Sequence, residues 1–291
     1  MKQKHLVLLS GGESSAIVAI HVAKKYGKEN VLLLNHNIRT GMEHDDIKRF
    51  KQEIADFIGL PITYANIDGI ENPDDIPDQF DVCLSASNGN GAFTSPNGMA
   101  LCTAFLKTKP FHDFLHRNFP PYPELFTEHT DLIIYYGFDE NEKDRVMRRS
   151  GLLGAMGYKT KYPIFRKEVE IQSTSEIGIK PPSTYSVFKH ANCIGCLKAG
   201  LLHWYVTYCL RPDVYDKGSD TEQKIGYCIH RVTRNGVTDT ISLEELRPIF
   251  MQMQLDGVPA TEHQSDKKFG RLLRKYQIEQ CNVNKPCECT E

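Results

Sequence analysis

"HLVLLSGGESSAIVAIHVAKKYG", residues 5–27, decides the fold. His5 to Ser10 read as a buried strand. Gly11 and Gly12 break the run, and residues 15–27 carry the apolar spacing of an amphipathic helix that stops at Gly27. A glycine pair between a first strand and a first helix leaves backbone N–H groups at the positive end of the helix, which is an anion site. Ser10, Ser14 and Ser15 add hydroxyl donors. The stretch is neither a GxxxxGK[ST] loop nor a GxGxxG turn. A plain tight strand-to-helix turn is the alternative reading of the two glycines.

Outward from this stretch, strands and helices alternate. "NVLLLNHN" (30–37) reads as a second buried strand. "EHDDIKRFKQEIADFIG" (43–59) reads as a helix with Ile47, Phe50, Ile54, Phe57 and Ile58 on one face, and "LPITYANI" (60–67) as a third strand. This order implies crossovers and a parallel sheet. Residues 68–97 form a long loop rich in Asp, Asn, Pro, Ser and Gly. A helix is expected over 98–117, a strand over 130–138, helices over 141–151 and 168–178, and another over 197–210. Beyond about 211 the texture changes to polar helices ("SLEELRPIFMQMQ", "DKKFGRLLRKYQIEQ"). The expected fold is α/β, a Rossmann-like parallel sheet with helices on both faces (1–210), plus a helical C-terminal appendage with a cysteine-rich tail (211–291).

The chain has 291 residues, 25% of them charged, and a net charge of −2. That balance argues against a general nucleic-acid or membrane-surface binder. No run approaches the roughly 18–20 apolar residues of a membrane span. The N-terminal apolar run ends in Gly-Gly rather than a small-residue cleavage site, so it reads as a strand and not a signal peptide. Nine cysteines, an odd number, then point to a reducing, cytoplasmic compartment with free thiols or a metal site. Cys193 and Cys196 form CxxC; Cys281, Cys287 and Cys289 cluster at the end. The CxxC reads as a metal half-site, a redox pair or a core thiol pair.

Five stretches in order carry a family resemblance: the Ser10-Gly11-Gly12-x-x-Ser15 loop, "LNHNIRTGMEHDDIKRFKQEIADFIGLPI" (34–62), "LCTAFLKTKPF" (101–111), "IIYYGFDENEKDRVMRR" (133–149) and "YPIFRKEVEIQSTSEIGIKPPSTYSVFKHANCIGC" (162–196). Over about residues 5–210 the chain resembles the phosphoadenylyl-sulfate (PAPS) reductase family of the adenine nucleotide alpha-hydrolase-like (PP-loop ATP pyrophosphatase) superfamily. The resemblance implies that Ser10, Gly11, Gly12, Ser14 and Ser15 hold the nucleotide phosphates. It implies that Asn35 and His36 meet the adenosine, with Gly137 beside them. Lys107 and Arg145 match motif cations that act on the reacting phosphate or sulfate. Arg148 and Arg149 either join them or form a solvated helix surface. Cluster-bearing members have a cysteine pair before the Lys-x-x-Pro. Here that place reads Cys102-Thr103, so Cys102, Cys193 and Cys196 are offered to an iron–sulfur cluster, with a tail cysteine or an open iron completing it. Zinc, or a structural thiol pair, is the alternative. His190 is a candidate further ligand or phosphate contact, and His203, beside Trp204, reads as core.

The reaction implied is reduction of PAPS or its relative APS. A cysteine thiolate attacks the sulfur, and a thioredoxin-like thiol donor releases sulfite. Glu288-Cys289 imitates the start of the catalytic motif, but Thr290 and Glu291 follow instead of Gly, an aliphatic residue and His. Cys289 therefore reads as the nucleophile, as a tail thiol, or as a zinc ligand with Cys281 and Cys287. An alternative is an ATP-dependent sulfurtransferase acting on tRNA or DNA with Mg²⁺; another is a nucleotide sensor with structural zinc. Pyrophosphatase relatives read SGGxDS, and here Ser14 stands where that Asp would be. A hydroxyl does not replace a carboxylate as a charged Mg²⁺ ligand, which favours the reductase side.

Overall fold

The structure is a computed structural model that describes residues 3–68, 70–86, 93–94, 99–120, 131–234 and 237–283. The chain runs β1 (Lys4–Leu8), α1 (Glu13–Tyr26), β2 (Val31–Asn35), α2 (Asp45–Ile58), β3 (Ile62–Tyr64), α3 (Gln79–Ala86) and α4 (Leu101–Thr103). A π-helical turn over Ala104–Thr108 leads into α5 (Lys109–Asn118), β4 (Leu132–Tyr135), α6 (Lys143–Ala155) and β5 (Lys159–Lys161). Then come α7 (Leu201–Leu210), α8 (Pro212–Ile225), β6 (His230–Arg234), β7 (Val237–Ile241), α9 (Leu243–Leu255) and α10 (Asp266–Val283).

Two compact units divide these elements. The first comprises residues 1–76 and 103–185, the second 77–102 and 186–291. The contacts therefore do not divide the chain at the expected boundary near 210. The segment 77–102 and α7, both expected in the first domain, pack with the C-terminal elements.

In the first unit, β1–β5 form a parallel sheet in the order β3-β2-β1-β4-β5. Alternation along each strand sorts the apolar side chains onto two covered faces. Val7, Leu9, Leu33, Ile133 and Tyr135 pack with Ala16, Ala19 and Val22 of α1 and with Phe50 and Ile54 of α2. Leu6, Leu34, Leu132 and Ile134 pack on the other face with Phe111 and Leu115 of α5 and Val146 and Leu153 of α6. The unit is thus α/β with helices on both faces. From the neighbours β1 and β4 the chain leaves in opposite directions, toward β2 along one face and toward β5 along the other. A switch of this kind opens a crevice at the carboxyl ends of the two strands.

The second unit gathers α3, α7, α8, α9 and α10 around fully buried Trp204, Tyr205, Tyr215 and Phe250. The Trp204 ring packs edge-to-face with Phe80 and Tyr215, with centroids 6.3 and 6.1 Å apart. β6 and β7 pair antiparallel, so the expected helical appendage also contains a strand pair. A second correction concerns 168–178, where the expected helix is only a 3-10 turn over Thr174–Ile177. Ser173 caps that turn and Glu176 closes the capping box, which uses the local polar side chains for a single turn. Among the described residues no helix is long and apolar enough to cross a membrane.

Candidate functional site

The β1–α1 loop lies at the carboxyl end of β1. Gly11 adopts φ +91°, and a Cβ there would stand 2.6 Å from Cγ2 of Ile47 on α2. Only glycine satisfies both conditions. Gly12 caps α1 in an extended conformation without a side-chain cap. The N–H of Glu13 donates to the Tyr185 hydroxyl at 3.0 Å, and that of Ser15 to the Gly12 carbonyl at 3.1 Å. The N–H groups of Gly11, Gly12 and Ser14 have no hydrogen-bond partner among the described residues. Three free N–H groups flanking Glu13 at a helix start form an anion nest.

The three serines differ. Buried Ser15 donates its hydroxyl to the Gly12 carbonyl at 2.7 Å and accepts from the N–H and hydroxyl of Ser10 at 3.1 and 3.2 Å. It braces the loop from inside. Ser14 is exposed. The Glu13 carboxylate points to another turn, accepting from Ser173 Oγ at 2.8 Å and Thr174 N at 2.9 Å.

Gly137, expected beside the adenosine, backs onto the loop. A Cβ there would lie 2.7 Å from Ser14 C and Ser15 N. The absence of a side chain lets the end of β4 and the start of α1 touch backbone to backbone. Past Gly137, the rings of Tyr136, Phe138 and Tyr162 stack with centroids 5.2–5.9 Å apart. Exposed Arg145 pairs with Glu142 and lies 4.3 Å from the Phe138 ring centre; Arg149 lies 5.5 Å from that of Tyr136. Their spacing of four puts both on one face of α6, and Arg148 is exposed.

At the carboxyl end of β2, Asn35 is buried. Its Oδ1 accepts from His36 N at 2.7 Å, and its Nδ2 has no partner among the described residues. His36 Nδ1 lies 2.6 Å from the Ala65 carbonyl. A carbonyl only accepts, so Nδ1 carries the proton and Nε2 keeps its lone pair. Burial, helped by the charge of Lys107 in the π-turn, pushes the His36 pKa down to about 4. Glu43 and Lys51 make a buried bidentate pair at 2.9 Å behind the loop. The Lys51 stem reaches within 3.3 Å of the space a Gly11 Cβ would fill.

The CxxC lies in the second unit. Gly195 takes φ +67°, and a Cβ there would stand 2.7 Å from Val214 Cγ1. Gln79 Nε2 donates to the carbonyls of Ile194 and Gly195 at 2.7 and 3.2 Å. Cys196 N donates to His203 Nε2 at 3.2 Å, and His203 Nδ1 meets the Glu262 carboxylate at 2.6 Å. His203 is therefore core, as its setting suggested, and also an acceptor for the turn. Burial works against the Glu262 charge, yet hydrogen bonds from His203 and Lys189 N hold its pKa below the usual value. His190 is exposed. Burial pushes the Cys83 thiol up to about 12, with Cys102 and Asp78 adding to the shift. Among the described residues no three His, Cys, Asp or Glu side chains group to hold a metal ion. Cys287, Cys289 and the side chain of Cys281 lie outside the described residues.

Ser10–Ser15, Asn35, His36, Lys107, Gly137 and Arg145 thus all belong to the first unit, while Cys102, Cys193 and Cys196 belong to the second. Sequence reasoning did not single out Tyr185, Gln79 or Glu262. Tyr185 closes the quoted Pro181-Pro182-x-x-Tyr185 run, which was its available signal; the other two carried none. No protein-family model matches this chain, and no curated protein does.

Proposed function

We propose that the chain binds an adenine nucleotide at the carboxyl edge of its parallel sheet and acts on it in sulfur chemistry, as a sulfonucleotide reductase. The observation that carries the binding step is the nest of Gly11, Gly12 and Ser14 N–H groups at the switch point between β1 and β4. The sulfur chemistry rests on the resemblance over residues 5–210. Asn35 Nδ2 supplies a donor on the β2 side. Lys107, Arg145 and Arg149 supply cations suited to phosphate or sulfate oxygens. Glu13 is the loop's one carboxylate, and it is committed to Ser173 and Thr174. That favours reduction over Mg²⁺-dependent cleavage of ATP.

In this reading a cysteine thiolate attacks the sulfur of PAPS or APS. The sulfur–oxygen bond breaks, a sulfur–sulfur bond forms, and the nucleotide leaves with the electron pair on its phosphate oxygen. A thiolate of a thioredoxin-like dithiol then attacks the cysteine sulfur and expels sulfite, which takes the bonding pair. The second thiol of the donor resolves the mixed disulfide and regenerates the cysteine. Cys289 is the thiol this reading names. The described cysteines form no ligand set for an iron–sulfur cluster or zinc, and the thiol exchange above uses neither.

The test incubates the full chain with PAPS or APS and a dithiol, and assays sulfite. Sulfite release that Cys289→Ser abolishes is the expected result. Pyrophosphate release from Mg²⁺-ATP without sulfite would replace this reading with the ATP-dependent sulfurtransferase. Nucleotide binding with neither product would make the protein a sensor.

A further inference from the structure

Past the end of β3, between residues 64–68, 70 and 71 on one side and α5 on the other, the first unit holds a cavity of about 400 Å³. None of its lining residues was singled out from the sequence. The rings of Tyr64 and Phe114 border it, together with the amides of Asn37, Asn66 and Asn118. Much of this polar capacity is uncommitted among the described residues. Asn66 Oδ1 accepts the N–H of Asn37 at 2.9 Å, which leaves the Asn66 NH₂. Asn118 Nδ2 donates to the Phe114 carbonyl at 2.8 Å, which leaves its oxygen. Donors and acceptors beside two aromatic rings suit a planar ring with hydrogen-bonding edges.

Charge argues against a phosphate in the same place. Asp68 and Glu71 line the cavity, and its lining cation, Arg117, donates to Asp68 at 2.6 Å. Position argues for a link to the anion nest. β3 stands two places from β1 in the sheet, about 10 Å at the usual strand spacing, which is the scale of a nucleotide from phosphate to base. Asn35 ends the strand between them. His36 is tied to Ala65, and Asn37 opens on the cavity.

We propose that this cavity receives the base of the nucleotide whose phosphates meet the β1–α1 loop, an inference that rests on the nucleotide reading above. The resemblance puts the adenosine at Asn35 and His36; the cavity puts its base one strand further out. The phosphates stay at the nest, away from Asp68 and Glu71, and the amides of Asn37, Asn66 and Asn118 read the base edge.

The test titrates the full chain with adenosine, AMP and inorganic pyrophosphate, using calorimetry. Tyr64→Ala should weaken adenosine and AMP at least about fivefold, the lower end of base–aromatic stacking effects, and leave pyrophosphate unchanged. Asn66→Asp keeps the oxygen that holds Asn37, removes the free donor and should act in the same direction. Gly11→Ala should weaken AMP and pyrophosphate and spare adenosine. A wild-type chain that binds AMP and pyrophosphate but not adenosine overturns the base cavity alone. So do variants that bind adenosine and AMP as the wild type does. A wild-type chain that binds neither AMP nor pyrophosphate overturns the nucleotide reading, and the base cavity with it.

Discussion

The β1–α1 loop and the CxxC turn are built alike and finished differently. Each uses a glycine at positive φ wedged against a side chain from a helix, Gly11 against Ile47 and Gly195 against Val214. In the CxxC turn the protein caps three carbonyls and one N–H group. Gln79 caps two carbonyls, His203 takes the Cys196 N–H, and the Cys196 carbonyl accepts from Ala199. In the β1–α1 loop the N–H groups of Ser10, Glu13 and Ser15 are satisfied, and those of Gly11, Gly12 and Ser14 have no partner among the described residues. Capped carbonyls fix the CxxC turn around its two thiols. The β1–α1 loop instead opens the 14-residue helix α1, and free N–H groups at a helix start select for an oxyanion.

The largest expected effect breaks both turns in the same way. Gly11→Ala and Gly195→Ala each force a Cβ onto positive φ and into a side-chain atom closer than 2.8 Å. Backbone strain and overpacking together put each loss at about 3 kcal/mol, readable in urea unfolding. The comparison requires a difference in ligand binding. In conditions where both variants stay folded, Gly11→Ala loses pyrophosphate affinity and Gly195→Ala keeps it. Equal losses of affinity would mean that the nest is not the anion site.

A second prediction uses the histidine beside each turn. His203 faces the Glu262 carboxylate, whereas His36 faces the Ala65 carbonyl and the charge of Lys107. The His36 pKa lies at about 4 in the folded chain against an ordinary 6.5. Between those values the unfolded chain binds more protons, so stability falls as pH drops from 6.5 toward 4 and is fully present above 6.5. A gap of about 2.5 units at about 1.4 kcal/mol each sets the loss at up to about 3 kcal/mol. His36→Gln should remove that share of the slope between pH 7 and pH 4.5 in urea titrations. His230, also held at about 4 by burial, keeps its own share in both proteins. An unchanged slope in the variant would show that His36 does not stay neutral in the folded chain.

These two loops also show how far the sequence could be read. The runs around Leu6–Leu9, Val31–Asn35 and Leu132–Tyr135 announced the central strands because strands buried on both faces must be apolar throughout. β5 gave no such signal: Lys159 and Lys161 are exposed on a three-residue edge strand. The β6–β7 pair does carry one, Asn235-Gly236 between two β-branched stretches of the sequence. The anion loop was legible because strand, glycines and helix are contiguous. The supports of the two turns were not. Tyr185 reaches Glu13 across 172 positions, Gly137 acts through space it leaves empty, and Glu262 reaches His203 across 59. Contacts of that separation follow from the fold and leave no local pattern.

The smallest effect sharpens the comparison most, because it separates the two glycines of the loop. Gly12 has φ −86° and ψ 150°, an extended conformation that any residue adopts. A Cβ there would meet the Tyr185 hydroxyl at 3.5 Å, an ordinary contact. The folded protein therefore gives no reason for glycine at this position. Gly12→Ala should change stability by no more than about 0.5 kcal/mol, or raise it slightly by restricting the unfolded chain. Its N–H nevertheless belongs to the nest, and a methyl group at its mouth obstructs close approach of an oxyanion to the backbone. The expected result is an unchanged melting temperature with weakened pyrophosphate binding. A variant that melts as the wild type does and binds pyrophosphate equally well would show that the loop, although open, has no oxyanion pressed against it.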